Sequence, residues 1–351
     1  MKFTELKIVD LSTVLAGPSV GTFFAELGAK VLKIESPQFP DVTRSWKLPT
    51  ENPNSPISAY FSSVNYKKNY LQLDFSNPDQ LEELMEILAD ADILLSNFKK
   101  SSEVKFGLTS EILLKKFPHL IIGKITGFGE DSDRIAYDLI LQAETGFMSM
   151  NGTPDSGPVK MPVALIDVLA AHQLKEGLLV ALLDRISTKI GRKVSVSLYD
   201  AAISSLANQA SNYLMENQIP KRMGSLHPNI APYGEIFKTK DEMLVTFAIG
   251  SDLHFQKLSA LVGQSELKED ERFKTNQLRL QNRTLLAEIL QNQIKLFDWQ
   301  QLEDECKKNF IPAARIKNLD EVFKDTEAQR LVLEEEISGI LTKRVTSIAF
   351  K

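Results

Sequence analysis

Residues Leu6 to Glu35 read LKIVDLSTVLAGPSVGTFFAELGAKVLKIE, and this stretch decides the fold. Leu6 to Leu11 is a short apolar run of strand length. Ser12 to Ala16 leads into Gly17-Pro18, where proline suits the first turn of a helix that the pattern carries to about Leu27. Gly28 ends that helix, and Lys30 to Ile34 is a second strand closed by Glu35. A strand, a helix opened by glycine and a strand ending in an acid begin a doubly wound α/β domain.

The alternation continues outward. Strands are expected at Tyr70 to Leu73, Ile93 to Leu95, Ile121 to Ile125 and Val194 to Ser197. Between them lie an acidic helix from Pro78 to Ala89, capped by Asn77, and a helix from Thr109 to Lys116. Such a pattern makes a parallel sheet with ligands at the C-terminal ends of its strands. Leu198 to Asn217 reads as one helix, and Gln218 to Ala231 as a linker without periodicity. Beyond it a hairpin (Glu235 to Lys238, Met243 to Ala248) and three helices make a smaller α+β unit.

The segment Met161 to Arg185, MPVALIDVLAAHQLKEGLLVALLDR, places one carboxylate between apolar runs. Val163 to Ile166 reads as a strand, and Ala171, Leu174, Leu178 and Leu182 mark the buried stripe of a helix. Asp167 then fits two readings. It is a helix N-cap accepting the N–H of Leu169 or Ala170, contributing ~1 kcal/mol. Or it is a nucleophile, held at the positive helix end in thinly hydrated surroundings.

The 351 residues suffice for about two domains, and 43% hydrophobic with 25% charged residues is ordinary for a globular enzyme. A net charge of −5 argues against nucleic acid or an anionic membrane as partner. The lone Cys306 suggests a reducing, cytoplasmic setting, and the opening MKFTELKIVDLS reads as a lysine-flanked strand, not as a signal peptide. No window approaches a membrane span, and the four histidines have no metal-ligand spacing, so no metal is expected.

Two motifs mislead. Gly17-Pro18-Ser19-Val20-Gly21 matches a hydrolase nucleophile elbow, but five residues separate it from its strand. The same segment with Glu35 imitates a dinucleotide fingerprint, yet the full glycine pattern is absent and Pro18 removes an N–H donor. Lys67-Lys68, Lys99-Lys100 and Lys105, expected in loops near strand ends, form a solvated basic rim or a cradle for nucleotide phosphates.

Several segments together resemble the class III CoA-transferases, the CaiB/BaiF superfamily of formyl-CoA and carnitine CoA-transferases and alpha-methylacyl-CoA racemase. They are VDLSTVLAGPSVGTFFAELGAKVLKIESP from Val9, Asn65-Tyr-Lys-Lys with Leu73-Asp74, and Ala91 to Phe98 with Phe106-Gly107. Tyr137-Asp138 with Gln142-Ala143 and Gly146, Gly224 to Tyr233, and Ile311-Pro-Ala-Ala complete the set.

The resemblance implies a doubly wound, Rossmann-like large domain over residues 1–217, a linker at 218–231 and an α+β domain over 232–325. It further implies a segment, 326–351, returning to the large domain, and an interlocked homodimer. Asp167 lands on the family's catalytic aspartate. Val14, Ala16, Lys68, Asn97, Phe98, Lys105 and Leu198 land on coenzyme A contacts, with Leu15 and Tyr137 beside the substrate. CoA is then a co-substrate, passed from an acyl-CoA to a carboxylic acid through an aspartyl anhydride and thioester. The alternatives are an acyl-CoA racemase and an inactive acyl-CoA-binding homologue. The racemase branch has a histidine where this chain has Tyr137, and a glutamate where it has Gly250.

Overall fold

The computed structural model describes residues 2–350. The chain divides into two compact units: Met1–Met148 with Lys160–Pro220 and Gln329–Lys351, and Ser149–Val159 with Lys221–Ala328.

The first unit holds six strands: β1 (Lys7–Asp10), β2 (Lys30–Glu35), β3 (Lys68–Gln72), β4 (Ile93–Ser96), β5 (Ile121–Thr126) and β6 (Lys193–Ser197). They form one wholly parallel sheet in the order β3-β2-β1-β4-β5-β6. Its helices are α1 (Ala16–Glu26), α2 (Ala59–Ser63), α3 (Pro78–Ala89), α4 (Lys100–Phe106), α5 (Ser110–Lys116), α6 (Asp138–Glu144), the start of α7 (Phe147–Met150), α8 (Leu165–Thr188), α9 (Leu198–Ser204) and α10 (Ala207–Glu216).

Successive strand residues serve opposite faces. Ile8, Leu95 and Ile121 pack with Phe24 of α1 and Leu174 and Leu178 of α8. Their neighbours Val9, Leu94 and Ile122 pack with Leu84 and Leu88 of α3 and Leu113 of α5. Burial on both faces explains why β4 and β5 read as continuous apolar runs. Gly177 lets α8 lie close on the sheet, since a Cβ there would come within 2.6 Å of Val194 Cγ1.

The second unit contains the antiparallel strands β7 (Tyr233–Lys238), β8 (Leu244–Ala248) and β9 (Ala313–Arg315). With α11 (Asp252–Leu261), α13 (Arg283–Ile294) and α14 (Trp299–Lys308) they enclose Phe247, Phe255, Leu290 and Leu302, and α12 (Asn276–Gln281) precedes α13. Residues 149–159, read from sequence as part of the large domain, group with this unit. There Gly224 N donates to Gly152 O at 2.8 Å.

Residues 332–345 return to the first unit as a hairpin, β10 (Val332–Ile337) and β11 (Ile340–Val345). Its turn residues Ser338 and Gly339 both have positive φ, the geometry of a tight two-residue turn. Ile337 and Ile340 pack on Ile57 and Phe61. Arg344 pairs with Glu26 of α1, whose carboxylate also accepts the Thr346 hydroxyl and Ser347 N.

Three local expectations are corrected. Val163 to Ile166 is not a strand, because α8 already begins at Leu165 and a short apolar run does not distinguish the two. Leu198 to Asn217 is broken into α9 and α10. Ser204 and Ser205 turn their hydroxyls back to Ala201 O, and Ala207 has φ +47°. Lys105 lies in the last turn of α4, not in a loop. Among the described residues no helix is long and apolar enough to cross a membrane.

Candidate active site

In a sheet of this order the chain turns opposite ways after β1 and β4, leaving a crevice at their C-terminal ends. A cleft of about 320 Å³ opens there. Thr13 and Val14 enter it from the end of β1, Asn97 and Phe98 from β4, Thr126 and Gly127 from β5, and Leu198 from β6. Four of the expected CoA contacts, Val14, Asn97, Phe98 and Leu198, thus share one wall system with Tyr137. Leu15 and Ala16 follow directly at the start of α1. Gly17 is needed beside them, since a Cβ would lie 2.3 Å from Ser12 Cβ.

The two expected lysines fare differently. Lys105 is exposed, with its ammonium 5.0 Å from the Phe106 ring centre, and it is not part of the cleft wall. Lys68 is the first residue of β3 and is buried. Its Nζ donates to Asp10 Oδ2 at 2.8 Å, Pro18 O at 2.8 Å and Asn65 Oδ1 at 2.9 Å. An ammonium has three N–H groups, so none is left for a phosphate. The expectation that Lys68 holds CoA is therefore corrected: it is a buried counter-ion. Burial alone would raise the Asp10 carboxyl, but Lys68 and Lys33 more than offset this and hold it below the usual range.

Asp167 is the third residue of α8, with Ala164 preceding the helix, and its side chain makes no capping hydrogen bond. The N-cap reading fails on that geometry. Asp138, directly after the cleft residue Tyr137, accepts Ile166 N at 2.7 Å and so fixes the first turn of α8. Burial, and then the nearby Asp138, push the Asp167 carboxyl from 3.8 up to about 7.

Asp10, Glu35, Asp41, Glu103 and Glu235 are each ion-paired, with Lys68, Arg44, Lys33, Lys124 and Arg283. Asp167 is equally buried and, among the described residues, has neither an ion pair nor a hydrogen-bond donor on its carboxylate. A carboxylate so placed is poorly solvated and basic, which favours attack on an electrophilic carbon.

Sequence reasoning missed several groups, some near Asp167 and some in the cleft wall. Tyr60 of α2 is pushed up to about 12 by burial and then by Asp167, Asp138 and Asp41, so it stays a protonated hydroxyl near these acids. Trp46 stacks edge-on against it at 5.2 Å. Arg134 and Lys124 line the cleft. Lys124 did carry a signal, as one lysine inside the apolar run IIGKIT; the other three sit in segments without pattern.

The profile of CoA-transferase family III matches residues 3–346. The succinate–glutarate CoA-transferase of Agrobacterium fabrum is 33% identical over 97% of this chain and 88% of its own length. The acetyl-CoA:oxalate CoA-transferase of Acetobacter aceti is 29% identical over 95% and 85%. The crystal structure of a CaiB/BaiF family protein from Brucella suis superposes with a TM-score of 0.83, at 36% identity over 98% of this chain and 91% of that one. Matched along nearly its whole length by this family and these relatives, the chain belongs to CoA-transferase family III and is an enzyme of that class.

Proposed function

We propose that Asp167 is the nucleophile of the transfer and that the cleft holds coenzyme A. The reading is carried by one observation: of the buried acids, Asp167 alone lacks a counter-ion among the described residues. The Asp167 carboxylate adds to the thioester carbonyl of acyl-CoA, and the C–S bond breaks to release CoA thiolate and leave an acyl–aspartyl anhydride. The thiolate attacks the aspartyl carbonyl, expelling the first acid as its carboxylate and forming an aspartyl–CoA thioester. The acceptor carboxylate displaces that thiolate in turn, and the thiolate then attacks the acceptor's acyl carbonyl, returning Asp167 free. Each step exchanges one activated acyl group for another, so no water is consumed.

Val14, Ala16, Asn97, Phe98 and Leu198 are assigned to CoA, and Leu15 and Tyr137 to the acyl side. Lys105 is assigned to a phosphate, since its ammonium has no ion-pair partner among the described residues. The names of the Agrobacterium and Acetobacter relatives point to small dicarboxylic acids, so succinyl-CoA with glutarate is the first pair to assay. An interlocked homodimer in the cytoplasm completes the reading. The exposed apolar residues Leu183 and Ile190 on and after α8, and Leu214 and Met215 on α10, support a partner surface. The buried Cys306 suits a reducing compartment.

The deciding experiment incubates the protein with succinyl-CoA and then hydroxylamine, and maps the hydroxamate by peptide mass. It is expected on Asp167. Modification elsewhere, or undiminished turnover by Asp167→Ala, would sink the mechanism.

A further inference from the structure

The loop between β1 and α1 is held from outside itself. Four successive N–H groups have acceptors: Leu11 on Leu95 O (2.9 Å), Ser12 on Asp10 Oδ1 (3.0 Å), Thr13 on Asn97 Oδ1 (3.2 Å) and Val14 on Asp41 Oδ1 (3.3 Å). The result is Val14 at φ +73°. For a β-branched residue this is a strained conformation, which persists only where surrounding contacts impose it.

Asp41 and Lys33 bracket the strained residue. Lys33 Nζ donates to Ser12 O at 2.7 Å and pairs with Asp41 Oδ2 at 3.1 Å, while Asp41 Oδ1 takes the Val14 N–H. Both side chains are wholly buried, and neither lines the cleft that Thr13 and Val14 do line. Asp41 is itself anchored, its N–H donating to Glu35 Oε1 at 3.0 Å and its Oδ1 also accepting the Thr43 hydroxyl at 2.7 Å.

We propose that Lys33 and Asp41 are positioning residues for CoA binding: the buried pair imposes the left-handed Val14 and so presents the cleft wall in its binding shape before any ligand arrives. The inference rests on the reading of this cleft as the CoA site. Without the pair Val14 relaxes to negative φ, fewer molecules hold the competent wall, and the apparent affinity falls by that fraction.

The test uses Lys33→Met with Asp41→Ala, which removes both charges together and so leaves no unpaired buried ion. By calorimetry its CoA dissociation constant is expected to rise at least about tenfold. With Val14→Gly alone as the reference, which accounts for the lost Val14 side chain in the cleft wall, adding Val14→Gly to the double variant should recover at least about threefold of the loss, because glycine adopts positive φ without a steric penalty. Asp41→Asn keeps an oxygen for the Val14 N–H, and Lys33 still interacts with the Asp10 carboxylate, so this variant should bind within about threefold of wild type. A ligand-free readout stands beside these: amide exchange of residues 13–16 should accelerate in the Lys33→Met, Asp41→Ala protein and stay slow in Asp41→Asn. Wild-type affinity in the doubly substituted protein, or no recovery on adding Val14→Gly, overturns the proposal. If wild type binds no CoA while the exchange pattern appears as stated, the cleft assignment fails and the loop assignment stands. If exchange is unchanged, the loop assignment fails whatever CoA does.

Discussion

At Asp167 a raised pKa has two consequences of opposite sign. As a nucleophile the residue acts ionised, so kcat/KM for succinyl-CoA should climb with pH and level off above about 7. A flat profile between pH 5 and 8 would remove Asp167 from the step. For stability the folded protein binds this proton more tightly than the unfolded chain does. The unfolded chain loses it near 3.8 and the folded one near 7, so stability falls as pH rises through that window, and the deficit is complete above it. Asp167→Asn is therefore expected to raise the urea midpoint at pH 8 and to leave it unchanged near pH 3, while abolishing transfer. Equal gains at both pH values would mean the effect is packing. The position of Asp167 was legible in the sequence as a carboxylate entering an apolar helix, but its pattern alone left an N-cap and a nucleophile open, and only the family resemblance pointed to the second. What weighs against the cap is local, since α8 already begins at Leu165, whereas the lack of a counter-ion among the described residues is set by the tertiary fold.

Among the elements, the β10–β11 hairpin offers the clearest contrast between buried and exposed charge. Arg344 and Glu26 have side chains only 5% and 4% exposed, whereas Lys7 and Asp90 are 45% and 74% exposed. Arg344→Ala leaves Glu26 buried without its counter-ion and is expected to cost roughly 3–5 kcal/mol in urea unfolding. Lys7→Ala should cost about 0–1 kcal/mol. Comparable losses would mean the hairpin is not held by this pair. Elements with strong period were readable: α3 runs from Pro78 to Ala89 with Asn77 capping Asp79 N at 3.0 Å, as its sequence implies. The small helices α2 and α4 and the hairpin were not, since their few residues are fixed by what they pack on. Lys68 failed for a related reason. A lysine beside another lysine reads as surface, and only the meeting of β3 with Asp10 turns it inward.

The whole molecule carries two tryptophans, Trp46 in the first unit and Trp299 in the second, so each unit has its own fluorophore. Their cores are separate clusters, and two-state unfolding is not required of such a chain. With Trp299→Phe and Trp46→Phe variants, CoA at about 100 times its dissociation constant should stabilise the Trp46-reported transition by ~2.7 kcal/mol. The Trp299-reported transition should move less. Equal shifts would show that the units unfold as one. The doubly wound order was legible because each strand and helix carries its own period. The return of residues 329–351 to the first unit is a property of the complete chain. That return sets a timetable for synthesis. The second unit, encoded within the first, has all its residues joined to the chain while the Glu26 carboxylate still awaits Arg344, Thr346 and Ser347. At about 5–20 residues per second the N-terminal sheet then spends tens of seconds without the hairpin that covers Phe61. A ribosome pausing before residue 332 holds the chain in that uncovered form, making the unfinished nascent protein a natural client for a chaperone.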